Sequence, residues 1–206
     1  MKTLLNFITL SILSTSSLLA NSYRIELSSG GSQLATMELH IEDGMATSTA
    51  DGIKEEFDLV NMKWKHEESG QWVSIKQCTE WANQSKAKSM ASMESADVPE
   101  QVRDFLSWSL SPAFEVTKDG TSISLISGQV DYAIEGIASE SNTEDYYKYA
   151  ILNSYKKAMT ERKLPPYSEL KAIEEMKGLG YIPTSISIEI PGIPQTPGFE
   201  MKIEEI

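Results

Sequence analysis

The stretch Tyr23-Arg24-Ile25-Glu26-Leu27-Ser28 alternates apolar and polar residues, and Met37-Glu38-Leu39-His40-Ile41-Glu42 does so again. A period of two places one set of side chains on a buried sheet face and the other in water. Gly30-Gly31 turns the chain between these runs. Asp43-Gly44 and Asp51-Gly52 follow as hairpin dipeptides, because Gly accepts positive φ and Asp tolerates it. Ile53 to Leu59 adds a fourth strand. Strands about ten residues apart with turn signals between them predict an antiparallel meander over 23–59.

Beyond it the period changes. Trp72, Ile75, Cys78, Trp81 and Ala82, then Met90 and Met93, recur at steps of three and four. That spacing predicts a helix over 72–93, with Ser74 or Gly70 at its start. A second, short helix is expected from Pro99 to about Trp108. Asp97 and Glu100 are spaced as a capping pair there, and Val102, Phe105 and Leu106 mark the face to be buried. Strands return around Phe114 and Val116, around Ile123 and Leu125, and over Val130, Tyr132 and Ile134. Asp119-Gly120 and Ser127-Gly128 turn them.

Thr143 is placed to cap a third helix, with Glu144 and Asp145 in its electropositive first turn. Tyr146, Tyr149, Leu152, Tyr155 and Met159 form its apolar stripe, and Pro165-Pro166 ends it. Ser168 is expected to cap a fourth helix carrying Leu170, Ile173 and Met176, which stops at Gly178 or Gly180. Ile186, Ile188 and Ile190, then Phe199, Met201 and Ile203, give two last strands around a Pro/Gly loop. This order lacks the strand–helix alternation of a parallel sheet. It predicts an α+β fold: a large curved antiparallel sheet, half-barrel-like, with helices packed on one face.

Residues 1–20 stand apart. Lys2 precedes the apolar run Leu4, Leu5, Phe7, Ile8, Leu10, Ile12 and Leu13, and Ser14 to Ser17 and Leu18-Leu19-Ala20 follow. This reads as a signal peptide with a small residue at the cut. The run is shorter than the ~20 residues a membrane span needs, and no later segment supplies a transmembrane span. Residues 21–206 are then expected as one α+β domain, delivered to the periplasm or outside the cell. The chain of 206 residues carries 30 acidic against 18 basic side chains, a net charge of −12. Such a field repels phosphate backbones, so nucleic acid is not an expected partner. Cys78 is the only cysteine, so no intramolecular disulfide forms. Its place inside an amphipathic helix marks it as a small buried hydrophobe rather than a nucleophile.

Catalytic and metal constellations are weak. His40 falls on the polar side of its strand, and His66 lies in the charged turn Lys65-His66-Glu67-Glu68; both are expected to be exposed. No H-E-x-x-H spacing occurs. Ser85-Lys86-Ala87-Lys88 matches S-x-x-K, but the companion S-D-N and K-T-G motifs of the penicillin-recognising enzymes are missing. The acid pairs Glu42-Asp43, Glu55-Glu56, Glu67-Glu68 and Glu174-Glu175 show no calcium-loop pattern and are expected to be solvated. No catalytic residue, no metal ligand and no cofactor is assigned.

The aromatic content points elsewhere. Trp64, Trp72, Trp81 and Trp108 gather around the first helical segment, Tyr146, Tyr147, Tyr149 and Tyr155 crowd the third helix, and Met37, Met90, Met93, Met159 and Met176 add adaptable apolar surface. Should the helices cover the sheet incompletely, these residues line an apolar cavity; should they cover it fully, the same residues are its core. The four tryptophans are the candidate ligand-binding residues.

The Asp43-Gly44 turn within a meander, and the run Phe57-Asp58-Leu59-Val60-Asn61-Met62-Lys63-Trp64, resemble the outer-membrane lipoprotein carrier fold over about residues 23–140. That resemblance implies an exported half-barrel with helices over its mouth. The chain departs from the pattern in its helices at 72–108 and in the pair at 143–178, so no binding residue is carried over. The segment from Tyr146 to Pro166 also resembles uncharacterised exported bacterial proteins, which imply no function. Three readings remain open: a binding or carrier protein for an apolar small molecule or lipid, an envelope interaction or scaffold protein with no ligand, and a hydrolase whose site the sequence hides.

Overall fold

Asp43 and Gly44, and again Asp51 and Gly52, all take positive φ, between 50° and 79°. This is the twist that joins two antiparallel strands without splaying them. The turns tie together β1 (Asn21–Ser29), β2 (Ser32–Glu42), β3 (Met45–Ala50) and β4 (Ile53–Asp58), the meander that the alternation predicts. The computed structural model describes residues 21–95, 99–138, 143–162, 164–178, 180–192 and 196–206. The segment read as a signal peptide, and Asp97 of the capping pair, lie outside them.

Two short strands extend the meander, β5 (Lys63–Lys65) and β6 (Trp72–Ser74), and α1 (Ile75–Ser95) and α2 (Glu100–Ser109) follow. The helix expected from Trp72 therefore begins three residues later, because Trp72, Val73 and Ser74 pair with Lys65, Trp64 and Lys63. Ser74 caps it in a reciprocal box: Gln77 N–H donates to Ser74 Oγ at 3.4 Å, and Ser74 N–H donates to Gln77 Oε1 at 2.8 Å. The face expected to be buried on α2 is not: Val102 is 45% exposed and Phe105 and Leu106 are half-buried. Among the described residues, Phe105 meets Trp108 of the same helix at 6.1 Å.

The second half contains β7 (Glu115–Asp119), β8 (Ser122–Ile126), β9 (Asp131–Ala138), α3 (Thr143–Lys157), α4 (Tyr167–Lys177), β10 (Tyr181–Glu189) and β11 (Phe199–Glu205). A π-helical turn, Ala158–Arg162, prolongs α3. The fourth helix starts at Tyr167, with Pro166 in the cap position, so Ser168 lies inside its first turn rather than capping it. Ser168 Oγ instead donates to Glu169 at 3.1 Å. Proline before a helix costs no hydrogen bond, because the first N–H groups have no intrahelical acceptor.

The eleven strands among the described residues form one curved, unclosed antiparallel sheet in the order β6-β5-β4-β3-β2-β1-β11-β10-β9-β8-β7. The two meanders run outward in opposite directions, and β1 and β11 join them at the centre, with Ile25 opposite Ile203 and Leu27 opposite Met201. Pro183 sits within the interior strand β10, where it is fully buried. It is tolerated because β11 pairs with β10 only from Ser185 onward, and a register shift between Pro183 and Ser185 absorbs the missing donor.

The helices cover one face, as the α+β reading requires. Tyr23, Leu39, Phe57 and Trp64 point to that side, and Arg24, Glu38, His40 and Glu56 to the other. Helix α3 supplies most of the covering layer. Tyr146, Tyr147, Tyr149, Leu152 and Tyr155 are all buried, Tyr146 meets Tyr23 edge-on at 5.6 Å, and Tyr149 meets Phe57 at 5.0 Å. The tyrosines are thus core along most of the sheet, not the lining of a void.

Candidate functional site

The alternation of β4 turns Ile53, Glu55 and Phe57 to the helix-covered side. Phe57 is fully buried, but Glu55 brings a carboxylate into a mostly apolar layer, opposite the buried Ser48. Helix α3 answers it. Lys156 is one turn beyond Leu152, so it faces the sheet with the tyrosines, and it is 7% exposed. Its Nζ donates to Glu55 Oε1, and Ser48 Oγ donates to the other Glu55 oxygen at 3.1 Å. Tyr149 donates to the Met37 sulfur at 3.5 Å. Burial pushes the Tyr149 hydroxyl far above its ordinary range, and the neighbouring Ser48 acts in the opposite sense. A lysine enters such a layer only with a partner in place, since an unpaired buried ammonium is costly.

Beside this pair opens a cleft of about 650 Å³. Asp51 of the β3–β4 turn, His66 and Glu67 of the β5–β6 turn, and Thr160 and Glu161 of the π-helical turn form its rim. Met37, Ile53, Val73 and Met159 supply apolar surface, and Trp64 and the Glu55–Lys156 pair belong to the same wall. A smaller cleft of about 230 Å³ shares Glu55, His66, Glu67 and Lys156 and adds Lys54, Glu56 and Lys65. There Lys65 donates to Glu56 at 2.6 Å, which holds the Glu56 carboxyl below its usual range.

Sequence reasoning expected His66 to be exposed and unremarkable. The structure corrects this: His66 is half-buried, its ring stacks on Trp64 with centroids 5.7 Å apart, and its buried Nδ1 has no hydrogen-bond partner. Glu55 likewise departs from the solvated role expected of it. His40 stays exposed as expected, with Ser22 Oγ 2.8 Å from Nδ1 and Glu42 Oε2 3.4 Å from Nε2. That row has the residue types of a hydrolase, but it stands on the open sheet face with 49% of the His40 side chain exposed, not in a cleft.

The four tryptophans do not converge. Trp64 is buried in the cleft wall, and its indole N–H donates to Cys78 Sγ at 3.4 Å. Trp72 is 40% exposed and turns to the opposite sheet face, because it pairs with Lys65 rather than Trp64. Trp81 packs half-buried on α1 against the core. Trp108 donates to Ala113 O at 3.3 Å and meets Phe114 edge-on at 5.5 Å, and Phe114 in turn meets Tyr132. Trp64 alone of the four lines the cleft.

Cys78 is fully buried, and burial pushes its thiol up. Ser85 and Lys86 of the S-x-x-K match lie on α1, where Lys86 stands over the Tyr167 ring at 5.6 Å. Among the described residues, no group of three or more His, Cys, Asp and Glu is placed to hold a metal ion, and no helix is long and apolar enough to cross a membrane. No protein-family model, no curated protein and no solved structure matches the chain.

Proposed function

We propose that the protein is an exported binding or carrier protein whose ligand lodges an apolar chain in the cleft beside Trp64. One observation carries this reading. The helical cover stops short of the sheet at β3–β6, leaving about 650 Å³ bordered by Met37, Ile53, Val73 and Met159. Filling that surface with a hydrocarbon chain removes apolar area from water, at about 25 cal/mol per Å². The half-barrel resemblance and the leader-like residues 1–20 support the carrier and export parts of the reading. Native mass spectrometry of the chain purified from its host, with and without solvent extraction, tests it. A discrete added mass that leaves with the solvent, and returns on incubation with a medium-chain amphiphile, is the expected result. A clean chain mass that takes up no added amphiphile overturns it.

A scaffold without a ligand is favoured by one feature, the tyrosine layer of α3, which fills the rest of the covered face. That reading predicts the clean mass.

A further inference from the structure

The rim of the cleft is not electrically neutral. Its lining carries five carboxylates, Asp51, Glu55, Glu67, Glu68 and Glu161, against the two lysines 156 and 157, an excess of three negative charges. Glu55 and Lys156 consume each other. Asp51, Glu67, Glu68 and Glu161 are exposed, and none has an ion-pair partner among the described residues. Beside them the buried Nδ1 of His66 lacks a partner, and in the neutral ring that nitrogen is either an unfilled acceptor or an unused donor. Behind His66 lies the buried Trp64 ring, on which the imidazole stacks.

From this we infer that the cleft selects a small cationic amphiphile: a protonated amine held at the Glu67–Glu68 rim, on an apolar stem lying along Ile53, Val73 and Met159. The inference rests on the cleft reading above and adds the ligand's head group. An anionic head would face the uncompensated carboxylates, and a neutral one would leave them unused. The chain's net charge of −12 acts in the same direction at long range and steers cations toward the rim.

Titration calorimetry of the full chain with decylammonium, decanol and decanoate at low ionic strength tests the assignment. Decylammonium is expected to bind about tenfold more tightly than decanol, and decanoate most weakly, since about 1.4 kcal/mol corresponds to a factor of ten. The double variant Glu67→Gln, Glu68→Gln should shrink the ratio of decylammonium to decanol affinity severalfold, and a ratio unchanged from the parent chain overturns the head-group inference. Equal binding of all three probes to the parent chain overturns the head-group inference and leaves the cleft standing. Binding of none of them overturns both. Binding of hexalysine that decylammonium does not displace overturns the small-molecule assignment in favour of a basic peptide.

Discussion

Lys156 on α3 and Glu55 on β4 are 101 residues apart in sequence, and they form an ion pair beneath the helix layer. The pair locks the third helix to the fourth strand at the point where the cleft begins. Removing one partner leaves a charge in low-polarity surroundings, a change that typically costs 3–5 kcal/mol for a fully buried pair. Glu55 keeps 24% of its side chain exposed, so the lower end applies. Lys156→Met should destabilise the chain by about 3 kcal/mol. Adding Glu55→Leu should recover much of that loss. Urea unfolding of both singles and the double checks this, and strictly additive losses would contradict the coupling.

Cys78 supplies a second test. Its sulfur accepts the Trp64 N–H in the core, and burial disfavours the thiolate. The native thiol should therefore react with a disulfide reagent only as fast as the structure opens. The rate should follow the unfolded fraction as urea is raised. Reaction at the speed of a free thiol in native buffer would contradict the placement.

The tyrosine layer predicts an alkaline limit. Burial raises the Tyr146 and Tyr149 hydroxyls well above the ordinary phenol value of 10.0. Above that value the unfolded chain releases protons that the folded chain keeps, so the stability present below pH 10 falls as pH rises. Circular dichroism should show cooperative unfolding somewhere above pH 10, and Tyr146→Phe should make the decline shallower. An unchanged decline would contradict the assignment.

The tryptophans separate ligand contact from structure. Trp72→Ala changes an exposed ring on the opposite face and should leave stability and amphiphile uptake alike. Trp108→Phe removes the hydrogen bond to Ala113 O and should cost about 1 kcal/mol without touching uptake. Ile53 is 50% exposed at the cleft, so Ile53→Trp should fold normally and block uptake. Uptake that Trp108→Phe abolishes and Ile53→Trp leaves intact would place the ligand at the other end of the sheet.

Among the described residues, nine of the eleven strands and the four α-helices can be read from the sequence, because long amphipathic runs and Asp-Gly turns are local signals. β5 and β6 cannot, since a strand of three residues carries too little alternation to register. Trp72 shows the consequence: it continues the helical spacing of Ile75 and Cys78, yet cross-strand pairing with Lys65 decides its conformation. The site was legible only in fragments. All four tryptophans are candidates in the sequence and only Trp64 lines the cleft, whereas Glu55 and Lys156 are not candidates, although both break the pattern of their own elements. Glu55 occupies an inward position between Ile53 and Phe57, and Lys156 lies on the stripe of Tyr149 and Leu152. An acid and a base on buried faces of different elements are a signal for pairing, but only the register of the folded sheet shows that the two meet.

The most direct test of the cleft as the ligand site is methyl-resolved NMR of the chain titrated with decanol and decylammonium. The account predicts saturable shifts at the methyl groups of Met37, Ile53, Val73 and Met159, with those of Leu125 and Ile134 in the filled core unmoved. Shifts centred on Met90, Met93 and Val102 of the α1–α2 pair, or none at any amphiphile concentration, would contradict it.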